Sequence, residues 1–165
     1  MSMSAPGNGA RDAGPLSRSQ ARLAAVQALY QMDLAETDVA AVIEEFKAHR
    51  LGLEAENGTA AQADPEHFAR VLEGVVAHQR EIDPLIDRQL AQGWRLERID
   101  SIVRAILRAA AFELTGLTDI PARVVISEYI DVAHAFFEGD EPKVVNGVLD
   151  QLARKLRPGE LPERT

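Results

Sequence analysis

The chain has 165 residues, of which 46% are hydrophobic, and this composition supports a buried core and excludes a globally disordered protein. It contains no cysteine, which excludes disulfide scaffolds, cysteine zinc sites and thiol nucleophiles. The net charge of −8 excludes a protein that binds nucleic acid over most of its surface, but it leaves room for a small basic site.

The N-terminal residues 1–16 are rich in glycine, serine, alanine and proline. They lack the apolar stretch of a signal peptide, so we expect a disordered tail on a cytoplasmic protein. No apolar run in the chain approaches the roughly 20 residues that cross a membrane, so no membrane association is expected.

Apolar residues recur at helical spacing after this tail, and no alternating run is long enough for a strand. A first helix is predicted from Arg18 to Leu34, with Ser17 as its N-cap. A second helix is predicted after the cap Asp38. A third begins after Asp64, where Pro65 fits the first turn because its missing N–H has no partner to lose there.

Four more helices are predicted in the second half of the chain. Asp83-Pro84 repeats the same start signal and predicts a short fourth helix that ends near Gly93. A fifth, more apolar helix should end at Gly116. A sixth begins at Pro121 and a seventh at Asp140. The pattern therefore predicts an all-α bundle of about seven helices.

This bundle is expected to form one all-helical domain over residues 17–158. A polar loop at residues 53–63 and the break near Pro84 divide it into an N-terminal half of about 17–80 and a C-terminal half of about 81–158. Residues 159–165 are expected to form a short tail.

Motifs for catalysis or for binding a metal or cofactor do not occur. The chain lacks a phosphate-binding loop, a dinucleotide fingerprint and a Gly-x-Ser-x-Gly motif. His67 and His78 lie about 16 Å apart along one predicted helix, too far to share a metal ion. We therefore predict a protein that is not an enzyme and that needs neither a metal nor a cofactor.

The start of the first helix carries a concentration of positive charge. Residues 1–32 contain three arginines and one aspartate, a net charge of +2, which leaves −10 on the other 133 residues. Arg18 and Arg22 are one turn apart at a helix N-terminus, where the helix dipole disfavours positive charge. With Ser19 and Gln20 beside them, they predict a small phosphate-contacting patch whose arginines project into solvent; the alternative is an ordinary solvated helix end.

Four blocks of the sequence resemble the NusB family of bacterial transcription antitermination factors, and they follow the family's order and spacing. The blocks are Ala21–Tyr30, Arg104–Leu114, Ile120–Glu128 and Lys143–Asp150.

The resemblance implies two small subdomains of three-helix type that bind the boxA element of ribosomal RNA leader transcripts as single-stranded RNA. It also implies a partner, the small-subunit ribosomal protein NusE. The two proteins would join elongating RNA polymerase with other Nus factors and prevent premature termination.

The resemblance also assigns roles to individual residues. Partner-binding roles are implied for Tyr30 and Asp140. RNA-binding roles are implied for Arg18, Arg22 and Lys143, and the polar side chains of Ser19 and Gln20 are predicted to contact the RNA beside them.

The sequence departs from the family pattern at a few positions within or beside the matching blocks. Ser19 and Gln20 stand where the family has further arginines, which removes phosphate contacts and lowers the expected RNA affinity. Val144 replaces an aromatic residue of the closing block.

Three further residues invite structural predictions. Gly147 lies inside a helix, where glycine costs about 1 kcal/mol relative to alanine, and this predicts a close approach by another helix. Arg104 and Arg108 are expected to face solvent or to pair with nearby acidic residues.

Two other functions are compatible with the sequence. The first is an acidic helical module that binds a basic protein and has no RNA affinity of its own. The second is the RNA-docking domain of a ribosomal RNA methyltransferase, but the sequence contains no glycine-rich methyl-donor fold.

Overall fold

The computed structural model describes residues 15–51 and 63–163, and within these ranges the protein contains six α-helices, one 3-10 turn and no strand. The all-α prediction is therefore confirmed, with one helix fewer than expected. The helices are α1 (Pro15–Ala35), α2 (Val39–His49), α3 (Pro65–Asp87), α4 (Ser101–Gly116), α5 (Ala122–Phe136) and α6 (Glu141–Leu156), and the 3-10 turn is Leu96–Arg98.

The chain divides into two compact units, Met1–Leu72 and Glu73–Thr165. The boundary falls inside α3, so its first two turns belong to the first unit and the rest to the second. The predicted tail over residues 1–16 and the predicted loop at 53–63 lie largely outside the described residues. No helix within the described ranges is long and apolar enough to cross a membrane.

In the first unit α1 packs against α2 through small side chains, because alanines at helical spacing along α1 are fully or almost fully buried. Beside them, the rings of Phe46 and Phe68 stack with their centroids 5.3 Å apart. The buried aliphatic and aromatic residues of this unit are Ala21, Ala24, Ala25, Val26, Ala28, Leu29, Val42, Ile43, Phe46, Leu51, Ala63, Phe68, Val71 and Leu72.

Two of the predicted N-caps are confirmed by their hydrogen bonds. An Asp38 carboxylate oxygen accepts from the backbone N–H groups of Ala40 and Ala41, at 3.1 and 3.3 Å. Asp64 accepts in the same way from Glu66 and His67, at 3.0 and 3.2 Å. Each carboxylate thus satisfies helix N–H groups that have no partner within the helix.

The predicted cap at Ser17 is wrong. Helix α1 already begins at Pro15, two residues earlier, so Ser17 lies in the first turn and is buried. Its carbonyl oxygen accepts from the backbone N–H of Asp64 at 3.1 Å and ties the start of α1 to the start of α3.

The predicted break between a third and a fourth helix exists, but its predicted position at Asp83-Pro84 is wrong: α3 consists of two helical segments joined at a kink, and the second segment runs on through Pro84 to Asp87. Its non-helical residue is His78 (φ −117°, ψ 16°), six residues before the proline. Asp83 does not cap a new helix. Both of its carboxylate oxygens accept from the Arg108 guanidinium, at 2.9 Å each.

The second unit is built on α4, which contacts both α5 and α6 while these two also pack together. Most of α4 from Val103 to Leu114 is buried, as expected from its apolar sequence. Its one buried acid, Glu113, accepts a hydrogen bond of 2.6 Å from the Tyr129 hydroxyl of α5. The end of α4 at Gly116 and the starts of the last two helices, after Pro121 and Asp140, agree with the prediction.

A buried arginine closes the end of this unit. The Arg157 guanidinium, in a side chain that is only 5% exposed, donates to backbone carbonyl oxygens at and beyond the C-terminus of α4. Helix C-termini carry unpaired carbonyls and partial negative charge, so a cation is favourable there. The accepting carbonyls, at 2.9–3.3 Å, belong to Glu113, Leu114, Leu117 and Ile120.

Candidate nucleic-acid interface

The first turns of α1 present part of the predicted patch to solvent. The Arg18 side chain is 41% exposed, and its Nε lies 3.9 Å from an Asp64 carboxylate oxygen. Gln20 is exposed and Ser19 is half-buried. The positive charge of the patch is thus partly balanced by an acid 46 positions further along the chain, which the local charge count did not include.

Arg22 does not belong to this exposed patch, although the sequence predicts that it projects from the helix end. Its relative exposure is 3%, because it lies on the face of α1 that also buries Ala21 and Val26. The expectation that Arg22 faces solvent is therefore wrong.

Lys143 and Asp140 lie together at the start of α6 in the second unit. Lys143 is exposed, and its backbone N–H donates to the Asp140 carbonyl oxygen at 3.0 Å. Asp140 occupies the N-cap position, but its side chain makes no capping hydrogen bond and is exposed. Both side chains are therefore available to a ligand of the second unit.

Tyr30 lies near the other end of α1 and is half-buried, so it is neither a core residue nor fully exposed. One turn later, Leu34 is 66% exposed. The two side chains, four residues apart, form an exposed apolar edge on this helix. Acidic residues follow on the same stretch, at Asp33 and Glu36.

A groove in the second unit was not predicted from the sequence. It has a volume of about 540 Å³, and its lining includes Trp94, Arg95 and Arg98 together with three acidic residues. Trp94, the single tryptophan of the chain, is 55% exposed. A lone tryptophan between glycine and arginine, in a chain with only 5% aromatic residues, is the sequence signal that could have indicated this site.

The backbone below Trp94 is held by side chains from two helices. Asp87 accepts from the backbone N–H of Leu96 at 2.8 Å, and Leu96 itself is buried. The Arg104 guanidinium donates to the carbonyl oxygens of Leu96, Glu97 and Ile99 at 3.3 Å each. Arg104 thus supports this loop, whereas Arg108 pairs with Asp83 as expected.

Within the described ranges, no group of three or more histidine, aspartate or glutamate side chains is arranged to hold a metal ion. The candidate site consists instead of exposed basic and aromatic side chains, which lie on helix ends and on the loop that Arg104 supports. Such side chains bind phosphates and stack on bases.

The comparisons with known proteins agree with the sequence resemblance. The model of the family described as "NusB family" matches residues 19–154, which include nearly all of the six helices. The chain belongs to the NusB family.

Curated NusB proteins are similar over most of this chain. A protein named "Transcription antitermination protein NusB" from Rhizobium rhizogenes is 51% identical over 140 residues, which are 85% of this chain and 88% of that protein. A protein of the same name from Rhodopseudomonas palustris is 54% identical over 143 residues, which are 87% of this chain and 85% of that protein.

Solved NusB structures have the same fold. NusB from T. maritima is 32% identical and superposes with a TM-score of 0.72, covering 90% of this chain and 96% of that one. A chain from a structure titled "Crystal Structure of Antitermination Factors NusB and NusE in complex with dsRNA" has a TM-score of 0.69 at 24% identity, and the match covers 86% of this chain and 99% of that one. At this identity, the second comparison establishes the fold only.

Proposed function

We propose that this protein is a transcription antitermination factor that binds the boxA element of ribosomal RNA leader transcripts together with the ribosomal protein NusE. The observation that carries this proposal is the NusB family match across residues 19–154. The names of the curated relatives, all transcription antitermination proteins, support it. Such a factor acts on elongating RNA polymerase with other Nus factors, in the bacterial cytoplasm.

The proposed RNA contacts are basic and polar side chains on the two units. In the first unit they are Arg18, Ser19 and Gln20, and in the second unit Lys143. Arginine and lysine side chains supply the salt-dependent part of RNA affinity by displacing counterions from phosphates. Because Arg22 is buried, it exposes little of its charge, and the patch of the isolated protein is small.

The proposed partner contacts are Tyr30 and Asp140. A half-buried tyrosine beside the exposed Leu34 offers apolar area with a polar tip, which is typical of protein interfaces. The net charge of −10 outside the first 32 residues favours a basic partner and steers its approach.

RNA titration with paired variants tests the RNA-binding proposal. A labelled boxA-type single strand is titrated with the wild-type protein, with Arg18→Gln/Lys143→Gln, and with the control Arg80→Gln/Lys155→Gln. Both double variants remove two positive charges, so they change the net charge equally, and both control side chains are exposed.

We expect the first variant to reduce affinity and to flatten the log–log salt slope by about 1.4, since each phosphate contact on a single strand contributes about 0.7. The control should behave as the wild type does. Equal losses in both variants would show that only net charge matters and would contradict the assigned contacts.

The charge balance favours a second candidate, an acidic interaction module without RNA affinity. In that case NusE binds at moderate salt, whereas boxA-type and scrambled RNA bind equally weakly. The same titration, run with both RNAs and with NusE, distinguishes the two functions.

A further inference from the structure

Arg18, the arginine proposed to contact RNA in the first unit, faces an acid that is distant in the sequence. Its Nε lies 3.9 Å from Oδ2 of Asp64, a distance that allows an ion pair but is too long for a hydrogen bond. The same Nε is buried and makes no hydrogen bond with any described residue. The guanidinium is therefore held beside Asp64 by charge attraction, while 41% of the Arg18 side chain stays exposed to a ligand.

The Asp64 carboxylate cannot turn away from Arg18 without breaking other bonds. Its Oδ1 accepts from the backbone N–H groups of Glu66 and His67, at 3.0 and 3.2 Å, and so caps α3. The backbone N–H of Asp64 donates to the Ser17 carbonyl oxygen at 3.1 Å, which joins it to the turn of α1 that carries Arg18. Because these three hydrogen bonds fix the carboxylate, it stays beside Arg18 when a ligand approaches.

The charge of Asp64 acts on Arg18 with little screening by water. The Asp64 side chain is only 11% exposed, and charges that are largely buried are screened less than charges on the surface. A carboxylate and a phosphate both bind a guanidinium through negatively charged oxygens. The fixed carboxylate therefore lowers the positive potential that Arg18 offers to a phosphate, and it also repels the phosphate directly.

We propose that Asp64 competes with the phosphates of RNA for Arg18 and thereby holds the RNA affinity of the protein below the value that Arg18 would give without it. A phosphate that binds Arg18 weakens the ion pair, and the fixed acid then remains close to a ligand of like charge. This proposal rests on the proposed RNA-binding function, and it gives the residue that caps α3 a second role as a determinant of affinity.

Asp64→Asn separates the charge of this residue from its capping role. Asparagine caps helices about as well as aspartate and has nearly the same shape, so the start of α3 should be preserved. Since ion pairs of a partly exposed arginine are weak, we expect the variant to bind a labelled boxA-type single strand about two- to fivefold more tightly than the wild type in about 0.1 M salt. Asp64→Ser, which keeps a capping oxygen, should show the same increase. Urea unfolding checks that both variants fold.

Asp38→Asn is the matched control, because Asp38 also caps a helix of the first unit by accepting from two backbone N–H groups. Asp38 follows the end of α1, which lies about 25 Å along the helix from Arg18, whereas the screening length is about 10 Å in 0.1 M salt. This variant changes the net charge by the same amount, but it should bind RNA as the wild type does. Equal increases in Asp38→Asn and Asp64→Asn would show that only the net charge matters and would overturn the proposal.

A double-mutant cycle shows whether Asp64 acts through Arg18. In the Arg18→Gln background we expect the increase from Asp64→Asn to disappear, because no guanidinium then draws a phosphate to the acid. An equal increase in both backgrounds would overturn the proposal, as would an affinity of Asp64→Asn that does not exceed that of the wild type, and in either case the RNA-binding function would stand. If neither the wild type nor Asp64→Asn binds RNA, this proposal and the proposed function fail together.

Discussion

At the scale of single residues, Glu160 and Arg157 join the C-terminal segment of the second unit to the start of α5 and to the end of α4. Glu160 accepts from the backbone N–H of Ala122 at 2.8 Å, and it accepts from Arg157 at 3.1 Å. The first hydrogen bond caps α5, whose N-cap residue Pro121 supplies no side-chain acceptor. A residue 38 positions beyond the helix start therefore performs the capping role that aspartate performs locally at the start of α2 and α3.

This arrangement predicts a pH-dependent contribution to stability. The hydrogen bond from Ala122 holds the pKa of Glu160 below its ordinary value of 4.5. Burial raises this pKa, whereas the hydrogen bond from Arg157 and the positive charge of Arg157 lower it further. Because the folded pKa is depressed, the carboxylate stabilises the protein above the unfolded pKa, and this stability is lost as pH falls through the folded pKa.

Glu160→Gln should therefore lower the free energy of unfolding at pH 7, and its difference from the wild type should shrink as the pH falls below about 4.5. Urea unfolding at a series of pH values measures this difference. Glu163→Gln, on an exposed residue of the same segment, serves as the control. A difference that is constant from pH 7 to pH 3 would contradict the role given to the Glu160 carboxylate.

Burial of Arg22 predicts a different outcome for a charge reversal than an exposed patch would. Arg22→Glu places a carboxylate where a guanidinium is 97% removed from solvent, so it should destabilise the protein by about 2–4 kcal/mol. The midpoint of urea unfolding checks this, with Arg18→Gln on the 41% exposed side chain as the control. A variant that unfolds at the wild-type midpoint would show that Arg22 faces solvent.

At the scale of helices, the effect of adding a Cβ at a glycine depends on the atoms that surround it. A Cβ on Gly74 would overlap the ring of Phe112, which also stacks on His78 with centroids 6.0 Å apart, so Gly74 permits α3 and α4 to approach closely. By contrast, beyond its own helical turn and chain neighbours, no atom of the described residues lies within 4 Å of a Cβ on Gly147. The close approach predicted at Gly147 from its sequence is therefore wrong, and it occurs at Gly74 instead.

Alanine substitutions test this contrast. Gly147→Ala should stabilise the protein by up to about 1 kcal/mol, because it removes the entropic cost of glycine in an open helical position. Gly74→Ala should destabilise it by about 1–3 kcal/mol, because the Phe112 ring must move. Denaturant unfolding measures both changes, and a loss of stability in Gly147→Ala would show that its surroundings are crowded.

Two signals that act within one turn were predicted correctly from the sequence, although the cap predicted at Ser17 was wrong, and contacts with distant residues were missed. Asp38 and Asp64 cap helices through their own next residues, so their roles could be predicted. The same reasoning failed at Asp83, because its carboxylate binds Arg108, 25 residues later.

The same distinction applies to the candidate site. The charge of Arg18 and the exposure of Lys143 follow from their places at helix starts. The burial of Arg22 depends on tertiary packing, and the groove at Trp94 depends on Arg104 reaching back to the preceding turn. A count of local charges and spacings contains neither contact.

At the scale of the whole molecule, the small number of accessible cations limits RNA binding. The protein carries a net charge of −8, and much of its surface repels phosphate. A basic partner such as NusE would neutralise part of this surface and contribute basic side chains of its own. We therefore expect the protein to bind RNA weakly alone and more strongly together with the partner.

Salt titrations of boxA-type RNA, without NusE and with NusE at saturation, test this coupling. The isolated protein should give a log–log slope of about −1.4 if Arg18 and Lys143 are its phosphate contacts. Saturating NusE should raise the affinity roughly tenfold or more and steepen the slope by about 0.7 for each added contact. Because binding free energies are reciprocal, RNA must tighten the complex of the protein with NusE by the same factor. If the isolated protein binds at full strength and NusE leaves both affinity and slope unchanged, the two ligands bind independently and the coupling does not exist.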